Sequence, residues 1–172
     1  MKRFLLLADL HCGQVAGLTP PKWQVAPGEV AEATLDLRRE CYAWFADAVR
    51  AAGPYAAVAV IGDAVDGQGA RAAGAETITP NPMDQVKMAA HVLTKAVKAA
   101  RVYIVAGTPY HVGAAAQQER QLVGLLQAGG IVVEYGEHLW PEADGVIFDL
   151  KHKIGGSSIP HGRFTALARD AL

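Results

Sequence analysis

The 172-residue chain holds only two cysteines, Cys12 and Cys41, too few for a disulfide framework, so reduced thiols and a cytoplasmic setting are expected. Nor is there an apolar run near the roughly 20 residues a membrane-spanning helix needs. Asp9 stops the first run, 4–8, and the later runs are as short. The opening Met1-Lys2-Arg3 imitates a signal peptide, but Asp9 and His11 interrupt it before an apolar h-region forms. Surplus charge of either sign is missing too. Lys and Arg number 16 against 17 for Asp and Glu, a net charge of -1, which gives no broad cationic field to hold nucleic acid by its phosphates. A local patch remains in 151–172, where Lys151, Lys153, Arg163 and Arg169 face one acid, Asp170. Finally, no internal repeat is found, and no Gly-x-Gly-x-x-Gly turn follows the first apolar run, which argues against a dinucleotide-binding domain.

What is present is 51% hydrophobic residues in short runs that alternate with helix-like stretches. That order predicts one α/β domain over 1–172, layered, with a mixed, largely parallel sheet flanked by helices. The first helix is expected over about 29–52, with Val30, Leu37, Cys41, Trp44 and Ala48 as its inward stripe and Gly53-Pro54 as its stop. Asn81-Pro82 reads as an N-cap with proline at the first helical position, opening a helix to about 100 with Val86, Ala90, Leu93 and Val97 inward. A third helix is expected over about 114–127, with Leu122, Leu125 and Leu126 inward and Gly129-Gly130 beyond its end. A strand follows from Ile131. The run 146–150 reads as a last strand, antiparallel in part, and 163–172 as a final helix.

Four apolar runs end in residues that bind metals. Run 4–8 leads into Asp9-Leu10-His11, and run 56–61 into Gly62-Asp63-Ala64-Val65-Asp66. Run 102–106 leads into Gly107-Thr108-Pro109-Tyr110-His111, and run 146–150 into Lys151-His152. In an α/β protein, loops at one edge of the sheet build the binding site, so 13–28 and 67–80 are expected to frame a substrate cleft. Carboxylates mixed with imidazoles suit Mn²⁺, Fe or Zn²⁺ better than a magnesium-only site. In a two-metal site the ions stand about 3.5–4 Å apart, and a carboxylate following a central strand can bridge them, a role that falls to Asp63. Cys12, next to His11, is expected to turn to the opposite face. His91 and His138 are assigned no role, His161 is left open between a functional histidine and plain loop, and Gly67-Gln68-Gly69 is read as a turn.

These residues resemble the calcineurin-like metallophosphoesterases, whose pattern is Asp-x-His, Gly-Asp-x-x-Asp, Gly-Asn-His-Asp/Glu, a lone His, then Gly-His-x-His. The first two blocks match residue for residue, and the Asp-Leu-His-Cys-Gly opening is similar to members encoded by phages and prophages. The resemblance implies that Asp9 and His11 hold the first metal, Asp63 bridges, and His152 serves the second. It implies that Asp66 orients a catalytic histidine. The third block departs from the pattern, with threonine at the asparagine position and two extra residues before the histidine. Either Thr108 takes the asparagine place as a ligand and His111 is the Asp66-oriented catalytic group, or His111 itself binds metal; the first is favoured. Nothing after His152 reads Gly-His-x-His, so the chain is expected to lack a strand and up to two ligands of the family pattern. The expectation is a hydrolase of phosphate monoesters or diesters, with DNA or a nucleotide among its candidate substrates and two divalent ions, Mn²⁺ first, as cofactors. Its rival is a catalytically silent binding or assembly module on the same fold.

Overall fold

Three of the apolar runs form strands, Phe4–Ala8 (β1), Ala57–Ile61 (β2) and Arg101–Val105 (β3), and a fourth strand, Val132–Gly136 (β4), follows them. β2 and β3 are almost wholly buried, as near-continuous apolar strands in a parallel sheet must be. The computed structural model describes residues 2–24, 32–67, 77–79, 81–112, 117–153, 155, 168 and 171. The helix expected over 163–172, apart from positions 168 and 171, and His161, Val30 and Gln68-Gly69 lie outside the described residues.

The four strands form one parallel sheet in the order β1-β2-β3-β4. Ala8 pairs with Ile61, Ile61 with Val105 and Val105 with Gly136, so the carboxyl ends of all four strands are level. The expected α/β architecture is therefore present, with one change. Among the described residues the main sheet is wholly parallel, and antiparallel pairing is confined to two separate pairs of two-residue strands.

Strand alternation divides the core. Val58, Val60, Val102 and Ile104 face the helices Glu32–Ala52 (α1), Pro82–His91 (α2) and Gln117–Ala128 (α4), which bury Tyr42, Val49, Met88, Leu122 and Leu126 against them. Each such aliphatic side chain contributes about 1.5–3 kcal/mol on burial. The other face carries Ala57, Ala59, Tyr103 and Val105 against Leu139 and Leu150. Small alanines on β2 let the Phe4 ring reach Tyr103 across the strand, at 5.8 Å between centroids, and Phe148 stacks on Phe4 at 4.7 Å.

Asn81 caps α2 as expected, its Oδ1 accepting from Met83 N at 3.0 Å. The regular helix ends at His91 and continues as a π-helical turn, Val92–Ala96, with Val97 N donating to Val92 O at 3.0 Å. The Thr94 hydroxyl donates to the Ala90 carbonyl at 2.8 Å, the acceptor that an α-helical bond from Thr94 N would use. The run 146–150 is not one strand. Asp144-Gly145, both at positive φ, makes a two-residue hairpin turn that pairs Val146–Ile147 (β7) with Glu142–Ala143 (β6), while Leu150–Lys151 (β8) pairs with His138–Leu139 (β5).

The inward face of α1 is also corrected. Arg38, Tyr42, Ala46 and Val49 are buried, whereas Leu37, Cys41, Trp44 and Ala48 are exposed, Trp44 at 74%. The Arg38 Nε donates to Val15 O at 2.6 Å, so this cation finds a backbone partner inside and brings its own stripe with it. On α4, Leu125 is likewise outward, while Leu122 and Leu126 are inward as expected. Among the described residues no helix is long and apolar enough to cross a membrane. Replacing Tyr42 by Ala is expected to cost about 3 kcal/mol, and Leu37→Ala no more than about 0.5 kcal/mol. Urea-unfolding midpoints of the two variants check this face assignment, and comparable losses would reverse it.

Candidate metal centre

Level parallel strands deliver residues 9, 62–63 and 106–107 to one sheet edge, and the loop after β1 continues alongside the loop after β2. His11 N donates to Asp63 O at 2.9 Å, Cys12 N to Ala64 O at 3.2 Å, and Asp66 N to Cys12 O at 3.2 Å. Holding the chain this way forces Asp9, His11 and Asp63 into left-handed backbone, at φ 53°, 42° and 46°. Such a conformation costs a non-glycine residue about 1–2 kcal/mol, and backbone strain of this kind collects at functional sites. Two glycines complete the approach. A Cβ on Gly62 would collide with the His152 ring, and one on Gly107 with the Asp63 carboxylate. Cys12 is fully buried in the helix-side core, its thiol pushed up to about 12 by burial, so it faces away from the donors as expected.

Two groups of donors result. His11, Asp63 and His111 form one and Asp9, Asp63 and His152 the other, with the donor atoms in each within 4.8 Å of one another. Asp63, 3% exposed, belongs to both. Thr108 secures its carboxylate, the backbone N donating to Oδ1 at 2.7 Å and the hydroxyl standing 3.3 Å from both oxygens. Asp9 and His11, expected on one ion, fall in different groups, although Asp9 Oδ1 lies only 3.7 Å from His11 Nε2.

The three histidines share an orientation. His152 Nδ1 lies 2.9 Å from Ile61 O, while its Nε2 lies 3.2 Å from Asp63 Oδ2. A carbonyl can only accept, so Nδ1 carries the hydrogen, and the Nε2 lone pair then faces a carboxylate oxygen. Two acceptors so close need a proton or a metal ion between them. Asp66 holds the Nδ1 atoms of the other two: its Oδ1 lies 3.1 Å from His11 Nδ1, and its backbone O lies 3.2 Å from His111 Nδ1, with Oδ1 at 3.2 Å as well. A carboxylate or carbonyl behind Nδ1, with Nε2 free, is how metal-ligating histidines are held. The His11 and His111 rings meet edge to face, 4.5 Å between centroids. His138 pairs instead with Asp149, and His91 packs against Trp23, both apart from this site.

Sequence reasoning missed three anchors behind these loops, one from each long helix. Arg38 of α1 holds Val15 in the loop after β1. Gln85 of α2, fully buried, bonds Gly67 N at 2.8 Å and Gly67 O at 2.9 Å in the loop after β2. Glu119 of α4, also fully buried, accepts from Gly107 N at 3.0 Å in the loop after β3. The readable signal was a polar residue on an otherwise buried helical stripe, as in Arg38-Tyr42-Val49 and Glu119-Leu122-Leu126. Burial pushes the Glu119 carboxyl above its ordinary range, against the pull of its backbone hydrogen bonds, and the nearby Asp63 charge pushes the same way. The two framing loops meet where Ile78 N donates to Gly13 O at 2.7 Å.

No protein-family model matches the chain, and a comparison with curated proteins gives no match either. Two donor groups of nitrogen and carboxylate oxygen sharing one buried carboxylate could each hold a metal ion.

Two outcomes are expected. Asp9→Gly and Asp9→Ala should both weaken metal binding, but the glycine variant should be the more stable by about 1 kcal/mol because it relieves the left-handed strain. Equal unfolding midpoints would show that no strain is held there. For Glu119, the folded protein binds the proton more tightly than the unfolded chain. Its stabilising contribution is therefore complete below the ordinary carboxylate range and is lost as pH rises through the raised folded value. Glu119→Gln removes that loss, so the melting temperature of the metal-free variant relative to the native protein should climb as pH rises from 4 towards neutrality. A pH-independent difference would contradict the buried-carboxyl assignment.

Proposed function

We propose that the chain is a metal-dependent phosphoesterase of the calcineurin-like kind, hydrolysing phosphate monoesters or diesters, nucleotides or nucleic acid among them. The observation that carries this reading is Asp63, buried and shared between two donor groups at the carboxyl edge of a parallel sheet. Two divalent ions in such a site supply Lewis acidity, acidifying a water and neutralising charge on the phosphate oxygens. The protein's own part is positional. Thr108 fixes the Asp63 carboxylate, and Asp66 fixes His11 and His111 through Nδ1. In the reaction the water oxygen bonds to phosphorus, the bond from phosphorus to the leaving oxygen breaks, and a proton ends on that oxygen. On this reading His11 and Asp63, with the neighbouring Asp9, would hold the first ion, and His111, half-buried with Nδ1 turned to Asp66, presents Nε2 as the group that delivers this proton.

Elemental analysis of the Mn²⁺-reconstituted protein, together with Mn²⁺-dependent hydrolysis of bis(p-nitrophenyl) phosphate, tests the proposal. Two ions per chain and turnover are expected. Asp63→Asn should lose both ions, while His111→Ala should keep them and turn over about 10²–10⁴-fold more slowly. Loss of an ion from His111→Ala would reassign that histidine as a ligand. One ion at most, with no turnover by the native chain, would favour the silent metal-binding module.

A further inference from the structure

Three of the donors, Asp9, His11 and His111, line a cavity of about 760 Å³ whose other lining residues are mostly apolar. Trp44, Phe45 and Tyr110 line it as well, the Tyr110 ring meeting that of His111 edge to face at 4.8 Å. The volume falls within the range of small-molecule sites. Among the described lining residues there is no Lys or Arg. A groove that tracks a polynucleotide backbone needs such cations along its length.

Two of the aromatic side chains are open to solvent, Trp44 at 74% on α1 and Tyr110 at 39% on Pro109–Val112 (α3). The exposed stripe of α1, Leu37, Cys41 and Trp44, runs into this wall, with Cys41 and Trp44 both lining the cavity. Uncharged aromatic surface beside an anion-binding centre complements a molecule that is anionic at one end and planar and uncharged at the other. Resting on the phosphoesterase reading, we propose that this cavity is a specificity subsite for small phosphate esters bearing one planar aromatic group, a nucleobase or an aryl ring. The phosphate lies towards Asp9, His11 and His111, and the ring lies against Trp44, Phe45 and Tyr110.

Non-hydrolysable phosphonates test the subsite without turnover. Methylphosphonate, phenylphosphonate and the methylenephosphonate analogue of adenosine 5′-monophosphate are titrated calorimetrically into the Mn²⁺-loaded protein. At least one aromatic ligand is expected to bind about 10-fold or more tightly than methylphosphonate, in line with the gain from stacking one ring. The comparison of phenyl with adenosine tells which ring the wall prefers. Trp44→Ala should bring the aromatic ligands down to the methylphosphonate level. Trp140→Ala, which alters an exposed tryptophan outside the cavity, should keep the gain. Equal affinities for all three ligands would overturn the aromatic subsite while leaving the phosphoesterase reading in place, whereas failure of every phosphonate to bind would remove both. A concentration-dependent dimer that Trp44→Ala dissociates in sedimentation would assign the stripe to a second copy of the chain and would also overturn the proposal.

Discussion

A carboxylate buried at the meeting point of three loops is the constraint around which this chain is arranged. Asp63 is almost wholly removed from water, and a buried charge of this kind is tolerated only when hydrogen bonds and opposite charge surround it. Thr108 supplies hydrogen bonds from the loop after β3, and His152 brings a ring nitrogen from the segment after β8. The Nδ1 atom of His152 is occupied by Ile61 O, so its Nε2 adds a ligating atom to the site. Asp9, His11 and His111 add still more. Such a concentration of ligating atoms calls for a proton or a metal ion among them, which distinguishes the site from an ordinary polar turn.

The scaffold holds these groups together by a repeated device. Each of the three ligand loops is tied to a buried polar side chain from a different helix, through Arg38, Gln85 and Glu119. A buried polar group left without a partner costs about 1–3 kcal/mol, so each anchor makes the loop's position part of the stability of the core. The left-handed backbone at Asp9, His11 and Asp63 acts in the opposite direction. Strain at a site persists where the surroundings over-determine it, and these anchors with the inter-loop bonds of His11 and Cys12 provide that excess of constraint.

What the sequence made legible follows from how local the signal was. Apolar runs ending in Asp-x-His and Gly-Asp-x-x-Asp announce strand ends and ligand chemistry within a few residues, and level parallel strands then bring Asp9, His11 and Asp63 to one edge. Asn81-Pro82 fixed the start of α2 for the same reason. The run 146–150 was harder, because the Asp144-Gly145 turn claims its first two residues and the pairing of Leu139 with Leu150 its last. The division of donors between the two groups depended on distances no spacing encodes. The anchors were harder to read, because a polar residue on a buried stripe such as Gln85 or Glu119 shows its partner only once the loops above it are placed.

The misread face of α1 has the same physical origin as the cavity. Periodicity assigns large apolar residues to the core because burying them is favourable, which makes Leu37, Cys41 and Trp44 the natural inward stripe. The structure gives that place to Arg38, Tyr42 and Val49, since Arg38 reaches the backbone of the loop after β1 only from there. Once the cation is fixed inside, helical geometry carries Cys41 and Trp44 outward, beside the loop that Arg38 holds. The buried arginine thus positions the loop that follows Asp9 and His11 and turns Trp44 outward beside it. A substitution that returned Trp44 to the core would have to withdraw Arg38, and with it the support of the loop that follows Asp9 and His11.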